Sequence, residues 1–125
     1  MKTKAAFKEL DAWQQAMGLV EEIYKTTARF PREELYGLTS QLRRAAVSVP
    51  SNVAEGYCRR SIKAYAYHVS VALGSHAELE TCIELASRLG FLPADERARF
   101  EERTSAVGRL LSGLHRSLTP NRARA

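Results

Sequence analysis

The sequence predicts an all-α protein, folded as an antiparallel up-down-up-down four-helix bundle. Apolar residues recur at spacings of three and four in four separate stretches, and no stretch alternates with the period of two of a half-buried strand. Glycine and proline occur at few positions, and these positions divide the stretches from one another. Because the connections between them are short, we expect consecutive helices to be antiparallel neighbours.

Length and composition indicate one soluble domain. The chain has 125 residues, 45% of them hydrophobic and 26% charged, which is an ordinary balance for one globular core. We assign residues 1–118 to the bundle and residues 119–125 to a flexible basic tail. No apolar run reaches the roughly 18 residues of a transmembrane helix, and the segment from Met1 to Ala6 lacks the apolar core of a signal peptide. We therefore expect a cytoplasmic protein without a membrane partner.

Helix one is predicted from Asp11 to Arg29. Asp11 is the expected N-cap, and Gln14 three residues later would complete a capping box. Spacings of three and four place one apolar row on a single helical face. This row, expected to face the core, consists of Leu10, Trp13, Met17, Val20 and Tyr24.

Helix two is predicted to begin near Glu33 and to contain Pro50. Its apolar row consists of Leu35, Leu38, Leu42, Ala45 and Val49. An internal proline lacks the backbone donor and crowds the preceding turn, so we expect a kink at Pro50. The alternative is that the helix ends there and restarts with Asn52 and Glu55 as a capping box. We favour one kinked helix.

Helices three and four have clear boundary residues. Ser61 is a plausible N-cap for helix three, and Gly90 is placed to end it. Helix four is expected to begin near Pro93. The row of helix three is Ile62, Tyr65, Val69, Ala72, His76, Leu79, Ile83 and Ala86. The row of helix four is Phe100, Thr104, Val107, Leu111, Leu114 and Leu118.

Helices one and three each carry a second apolar row. In helix one it is Ala12, Ala16, Leu19 and Ile23, and in helix three it is Ala64, Tyr67, Val71, Cys82, Leu85 and Leu89. A peripheral bundle helix needs only one row. The extra rows fit either a broad monomer core or a subunit interface, and we favour the interface. The residues predicted to form it are Ala12, Ala16, Leu19, Ile23, Tyr67 and Val71.

The net charge of +5 is unevenly distributed. In the predicted topology, both termini and the turn between helices two and three meet at one end, together with nine basic residues and only three acidic ones, Glu9, Asp11 and Glu55. The basic residues are Lys2, Lys4, Lys8, Arg59, Arg60, Lys63, Arg116, Arg122 and Arg124. Such a pole suits binding to a phosphate backbone, although a solvated surface has the same composition. Aromatic residues are not interleaved with the basic ones, so base stacking is not expected.

The predicted nucleic-acid contact is centred on Arg59, Arg60 and Lys63. Lys8, Arg44 and Arg116 are expected to assist it.

Motifs for catalysis are absent from the sequence. It has no glycine-rich phosphate loop and no nucleophile elbow. His76 and Glu80 lie four residues apart and could face one ligand, but two groups are too few for a metal site without partners from other helices. The residue types of a catalytic triad are present without a motif that joins them, in Ser48, Ser51, His68 and His115. We predict no enzymatic activity, no cofactor and no metal.

One segment of helix two indicates a particular protein family. The run from Gln41 to Gly56, QLRRAAVSVPSNVAEG, resembles the signature of the four-helix-bundle proteins associated with intervening sequences in bacterial 23S ribosomal RNA genes. Further matching segments are Trp13-Gln14, Phe30-Pro31, Glu34 to Leu38, Gly74-Ser75 and Glu78 to Thr81. The resemblance implies a small bacterial cytosolic bundle, assembled as a ring of five subunits and without known catalytic activity.

The same family is similar to the accessory variability protein of diversity-generating retroelements, a basic pentameric ring that binds nucleic acid and reverse transcriptase. By analogy of fold, this similarity makes RNA or DNA a more credible partner. We therefore predict a non-catalytic homopentamer that binds nucleic-acid backbone through its basic pole. The alternative is an interaction scaffold that docks another protein and binds no nucleic acid.

Overall fold

A computed structural model describes residues 6–120 and contains four α-helices and no strand within them. The helices are α1 (Asp11–Thr27), α2 (Leu38–Tyr57), α3 (Ile62–Arg88) and α4 (Ala94–Leu118). Single turns of 3₁₀ helix precede α1 (Ala6–Glu9) and α2 (Arg32–Glu34). The all-α class and the four helices are thus confirmed. Among residues 6–120, no helix is both long and apolar enough to cross a membrane.

Helix α1 begins at Asp11, but not through the predicted cap. Leu10 occupies the N-cap position with extended backbone, and no side chain caps the helix there. Gln14 instead donates its side-chain amide to the carbonyl of Lys8 at 2.8 Å. The capping-box prediction is wrong because the 3₁₀ turn that precedes the helix places Asp11 already inside it. Tight turn hydrogen bonds after Thr27 end α1 two residues before the predicted boundary.

Helix α2 starts later than predicted and continues through Pro50. Gly37 has a non-helical backbone (φ −113°, ψ −114°), which separates the 3₁₀ turn containing Glu33 from the α-helix. The Glu34 side chain then caps the helix, because its Oε1 accepts a hydrogen bond from the amide of Leu38 at 3.1 Å. A single helix runs from Leu38 to Tyr57, so a restart after Pro50 does not occur.

The boundaries of α3 agree with the predictions. Ser61 is the N-cap, and its hydroxyl accepts a hydrogen bond from the amide of Ala64 at 3.1 Å. At the other end, Gly90 takes the left-handed conformation with φ 83°. The amide of Phe91 then donates to the carbonyl of Ala86 at 2.9 Å, which closes the helix in the manner of a Schellman motif. Helix α4 begins directly after Pro93.

Most of the buried apolar residues form one cluster to which all four helices contribute. Each helix packs on its sequence neighbours, and α4 also packs on α1. Leu42, Val49 and Val53 of α2 lie in this cluster with Leu79 of α3 and Leu111 of α4. The cluster also contains the row Ala12, Ala16, Leu19 and Ile23 of α1, with exposures between 2% and 6%.

This burial corrects the sequence assignment of α1. Ala12, Ala16, Leu19 and Ile23 were expected at a subunit interface, but they face the core of their own protomer and cannot meet a second copy. The row expected in the core lies at its margin instead: Met17 is 37% and Tyr24 45% exposed. The buried row combines two alanines with Leu19 and Ile23, whereas the side chains of Met17 and Tyr24 reach solvent at the edge of the core. Tyr67 and Val71 keep accessible surface.

Candidate nucleic-acid interface

The turn between α2 and α3 brings the three central predicted residues together. Arg59 and Arg60 lie in the turn itself, and Lys63 lies in the first turn of α3, where Ser61 caps the helix. All three are exposed. Arg59 donates to the carboxylate of Glu55 at 2.9 Å, whereas Arg60 and Lys63 have no ion-pair partner among residues 6–120.

Groove-lining residues place the last turn of α4 beside the first turns of α3. Lys63 and Tyr67 share a groove with His115 and Leu118. We define the basic end of the protein as the α2–α3 turn, the first turns of α3 and the last turns of α4. Lys2, Lys4, Arg122 and Arg124, which the sequence also assigned to this pole, lie outside the described residues.

The three auxiliary residues are placed differently from one another. Arg116 is exposed near the end of α4, within the basic end. Lys8 is exposed in the 3₁₀ turn that packs on α2. Arg44 lies on α2, fifteen residues before Arg59, and a helical rise of 1.5 Å per residue puts the two about 22 Å apart. It lines a small cleft with Ser75 and Glu78. Arg44 is therefore remote from the predicted centre of the contact.

Ion pairing is concentrated away from the basic end. Arg29 of the α1–α2 connection binds Glu96 of α4 at 2.6 Å. Glu84 of α3 accepts hydrogen bonds from Arg88 at 2.9 Å and from Arg97 of α4 at 2.6 Å. These contacts show that the end of α3 and the start of α4 meet near the end of α1. Arginines there are partly neutralised by neighbouring carboxylates, while most described cations of the basic end are not.

Two pKa shifts follow from these surroundings. The hydrogen bond from Arg88, together with the nearby Arg97, lowers the pKa of Glu84, which favours its charged form. At the basic end, burial and the neighbouring Tyr57 raise the pKa of Tyr65. The Tyr65 phenol packs edge-on against the Tyr57 ring with centroids 5.8 Å apart. Tyr65 therefore contributes no charge there at neutral pH.

A polar network joins the signature segment of α2 to α3. Ser48 Oγ and Ser75 Oγ lie 2.7 Å apart, and Asn52 donates its side-chain amide to the carbonyl of Ser48 at 2.9 Å. Asn52 Oδ1 accepts from Nδ1 of His68 at 3.1 Å, which leaves the His68 Nε2 facing Glu55 at 3.8 Å. The sequence supplied no motif joining Ser48 to His68. The structure links them through Asn52, in a hydrogen-bonded contact between helices.

His76 is buried between α3 and α4. Its Nε2 donates to the carbonyl of Thr104 at 2.8 Å and lies 4.0 Å from Glu80 Oε2. A carbonyl only accepts, so Nε2 carries the proton, and the buried Nδ1 has no hydrogen-bond partner among residues 6–120. Within those residues, no group of three or more His, Cys, Asp or Glu side chains is arranged to hold a metal ion. The geometry of His76 is that of a packing contact.

Two adjoining grooves run between α3 and α4. The first, at the basic end, is lined by Ile62, Lys63, Ala66, Tyr67, Ser70, His115, Leu118, Thr119 and Pro120 and has a volume of about 530 Å³. The second has a volume of about 540 Å³ and is lined by Leu73, His76, Ala77, Glu80, Ser105, Gly108, Arg109, Ser112 and Arg116. Sequence reasoning missed the first groove, although the spacing of four between Lys63 and Tyr67 already places both on one helical face.

The fold and these surfaces define the class: a small all-α four-helix bundle with exposed cations at one end. The model of the 23S rRNA-intervening sequence protein family matches residues 8–113, and the chain belongs to that family. A crystal structure of a protein of unknown function from the S23 ribosomal protein family of Bacteroides thetaiotaomicron superposes with a TM-score of 0.77 at 15% identity. The match covers 84% of this chain and 95% of that protein, and it supports the fold. Comparison with curated proteins finds no match.

Proposed function

We propose that the protein is a non-catalytic, cytoplasmic nucleic-acid-binding protein that contacts the RNA or DNA backbone through its basic end. One observation carries the proposal: the exposed Arg60, Lys63 and Arg116 have no acidic partner among residues 6–120. Unpaired cations gain most from phosphate contacts, because they release counterions from the nucleic acid without first breaking an ion pair. Membership of a family named for a ribosomal RNA intervening sequence is consistent with this proposal.

The experiment measures binding to RNA and to duplex DNA over a series of salt concentrations. The triple variant Arg59→Gln, Arg60→Gln, Lys63→Gln is compared with Lys25→Gln, Arg32→Gln, Arg99→Gln. The control removes the same charge from exposed cations outside the basic end that have no ion pair among residues 6–120. We expect the first variant to reduce the slope of log affinity against log salt by about 2–3, since each phosphate contact contributes about 0.9 on duplex DNA.

The control variant is expected to keep the wild-type slope. If both variants lost the same affinity and salt slope, the binding would depend on the net charge of the protein and not on the basic end. An absence of wild-type binding at low salt would refute the proposal.

We further propose that the protein assembles as a homopentamer, in which several basic ends act together. Support comes from apolar side chains exposed beside a groove of about 650 Å³ between α1 and α2. Tyr24 is 45%, Leu35 47%, Tyr36 93% and Val47 40% exposed, and contiguous apolar surface of this kind is typical of contacts. Light scattering should give a mass near five times the 14.0 kDa of the chain, and a monomer would contradict the proposal.

The exposed groove between α1 and α2 equally supports the alternative of a scaffold that docks another protein. The two functions differ in their sensitivity to mutation. A scaffold keeps its activity when Arg59 and Arg60 are reversed in charge, and it loses activity when Tyr36 and Val47 become polar.

We also propose two features of the architecture, the antiparallel order of the helices and a kink at Pro50. The antiparallel up-down-up-down order is supported by contacts that pair α2 and α3 in opposite chain directions, since Ser48 meets Ser75 and Asn52 meets His68. The kink at Pro50 is supported by the missing amide of a proline inside α2.

A further inference from the structure

The groove at the basic end combines an exposed aromatic ring with cations. Tyr67 is 64% exposed, and its ring makes a T-shaped contact with the His68 imidazole at a centroid distance of 5.4 Å. Ile62, 63% exposed, and the buried Ala66 add apolar surface beside it. Lys63, Ser70, His115 and Thr119 supply polar groups of the lining, and none of the lining residues within 6–120 is acidic. Tyr67 and Lys63 thus line one groove, although the sequence pattern gave no expectation of base stacking.

The second groove extends the same surface along the bundle. Ala66, Ser70, Leu73 and Ala77 follow one another at spacings of four, three and four, so both grooves lie on one face of α3. On α4, Arg109 and Arg116 line the second groove about 10 Å apart along the axis. Neither has an ion-pair partner within the described part of the chain. Glu80 is the acidic residue of this lining.

We propose that the two grooves between α3 and α4 bind single-stranded nucleic acid, with one unpaired base stacked on Tyr67 and the phosphates placed along Lys63, Arg116 and Arg109. This inference rests on the proposed function and narrows it from nucleic-acid backbone in general to single strands. A base in a duplex is paired and stacked on its neighbours, so its face cannot reach the Tyr67 ring. A base in a single strand is free to stack, and every base offers a π-face to an aromatic side chain.

The charges of the grooves favour a polyanion over an isologous contact with a second copy of the chain. An isologous contact through this surface would bring Lys63 and Arg116 of one subunit towards the same cations of another. Like charges brought together in an interface are repulsive. A strand of phosphates offers the opposite charge at both grooves. The first groove, with a volume of about 530 Å³, is also within the size range of sites for small organic groups such as a base.

The test compares a single-stranded RNA that carries one 2-aminopurine with a duplex of equal phosphate number. Stacking on Tyr67 should quench the 2-aminopurine fluorescence. Tyr67→Ala should weaken single-strand binding at least about fivefold, which corresponds to one lost stacking contact, and should leave duplex binding and the salt slope unchanged. Tyr67→Phe should restore both affinity and quenching. Leu89→Ala removes a similarly exposed apolar side chain (59%, against 64% for Tyr67) that lines neither groove, and it should change neither affinity nor quenching.

The outcomes separate this inference from the proposed function. If the wild type binds nucleic acid but Tyr67→Ala has no effect, or weakens single strand and duplex equally, the stacking site is refuted and backbone binding stands. A change of oligomeric mass in Tyr67→Ala would instead assign Tyr67 to a subunit interface and would also refute the site. A wild type that binds neither probe at low salt refutes both. Circular dichroism of each variant establishes that the bundle is folded.

Discussion

Gly56 of α2 and His68 of α3 are in direct backbone-to-side-chain contact: a Cβ built on Gly56 would lie only 2.7 Å from the His68 Cβ and 3.2 Å from the carbonyl of Tyr65. Neither atom belongs to the end of a flexible side chain, so an added methyl group forces the helices apart. The last residue of the signature segment is therefore small because α3 crosses α2 at this point.

Gly56→Ala should destabilise the protein by about 1–3 kcal/mol, the usual cost of overpacking. Gly74→Ala is the matched control, because a Cβ there meets nothing within 4 Å and alanine favours the helix by about 0.5–1 kcal/mol. Chemical denaturation at equal protein concentration measures both changes. Equal effects of the two substitutions would contradict the close approach of α2 and α3.

Leu19→Ala should lower the free energy of unfolding by about 2–5 kcal/mol, since its 2% exposed side chain fills the core. Met17→Ala, in the neighbouring row at 37% exposure, should cost less than half as much. Thermal or chemical unfolding distinguishes the rows. If Leu19→Ala reduced only the oligomeric mass and left unfolding unchanged, the original assignment of this row to a subunit interface would be restored.

The two thiols should differ in reactivity with a disulfide reagent. Cys58 is exposed at the end of α2, while Cys82 is buried, and burial together with Glu78 raises its pKa. The thiolate is the reactive form, so the native protein should react rapidly at one thiol per chain and at both only in denaturant. The variants Cys58→Ser and Cys82→Ser identify which thiol reacts. Rapid native labelling of Cys58→Ser would show that Cys82 is accessible.

Glu84→Gln should destabilise the protein modestly at neutral pH, and the difference from wild type should disappear in acid. The hydrogen bond from Arg88 and the charge of Arg97 hold the pKa of Glu84 below its value of 4.5 in an unfolded chain. The stabilisation is therefore fully present above pH 4.5 and is lost as pH falls through the folded pKa. Melting temperatures over a pH series measure the effect.

Glu102→Gln removes an exposed carboxylate of α4 that has no ion pair among residues 6–120 and should be neutral at all pH values. A constant deficit of Glu84→Gln down to low pH would contradict the role assigned to its charge.

Helix periodicity in the sequence was sufficient for the fold class, because spacings of three and four identify a helical face whatever the tertiary structure. It could not decide between two adjacent rows of α1 that share this period. That choice depends on which neighbours approach, and it leaves Ala16 buried at 2% exposure while Met17 is 37% exposed. Caps formed by the residue that flanks the helix were predictable, as at Ser61 and Gly90. The cap of α2 was not, since it comes from Glu34 in a preceding turn.

The candidate site was predictable only where it is local. Arg59, Arg60 and Lys63 lie within five residues, so the sequence places them together without knowledge of the fold. The grooves need α4 to pack beside α3, which joins Lys63 to His115 over a separation that no periodicity describes. Arg44 was assigned to the contact although its separation of fifteen residues from Arg59 along a helix already places it about 22 Å from the turn.

Acidic residues are unevenly distributed, and this makes the molecule an electric dipole: the described part of the basic end contains none, whereas Glu84 and Glu96 lie among the arginines of the opposite end. Near a negatively charged surface, including a cation-exchange resin, it should turn its basic end forward before contact, and more so at low ionic strength. Retention on such a resin would then depend on which end carries a substitution, even when two variants have the same isoelectric point.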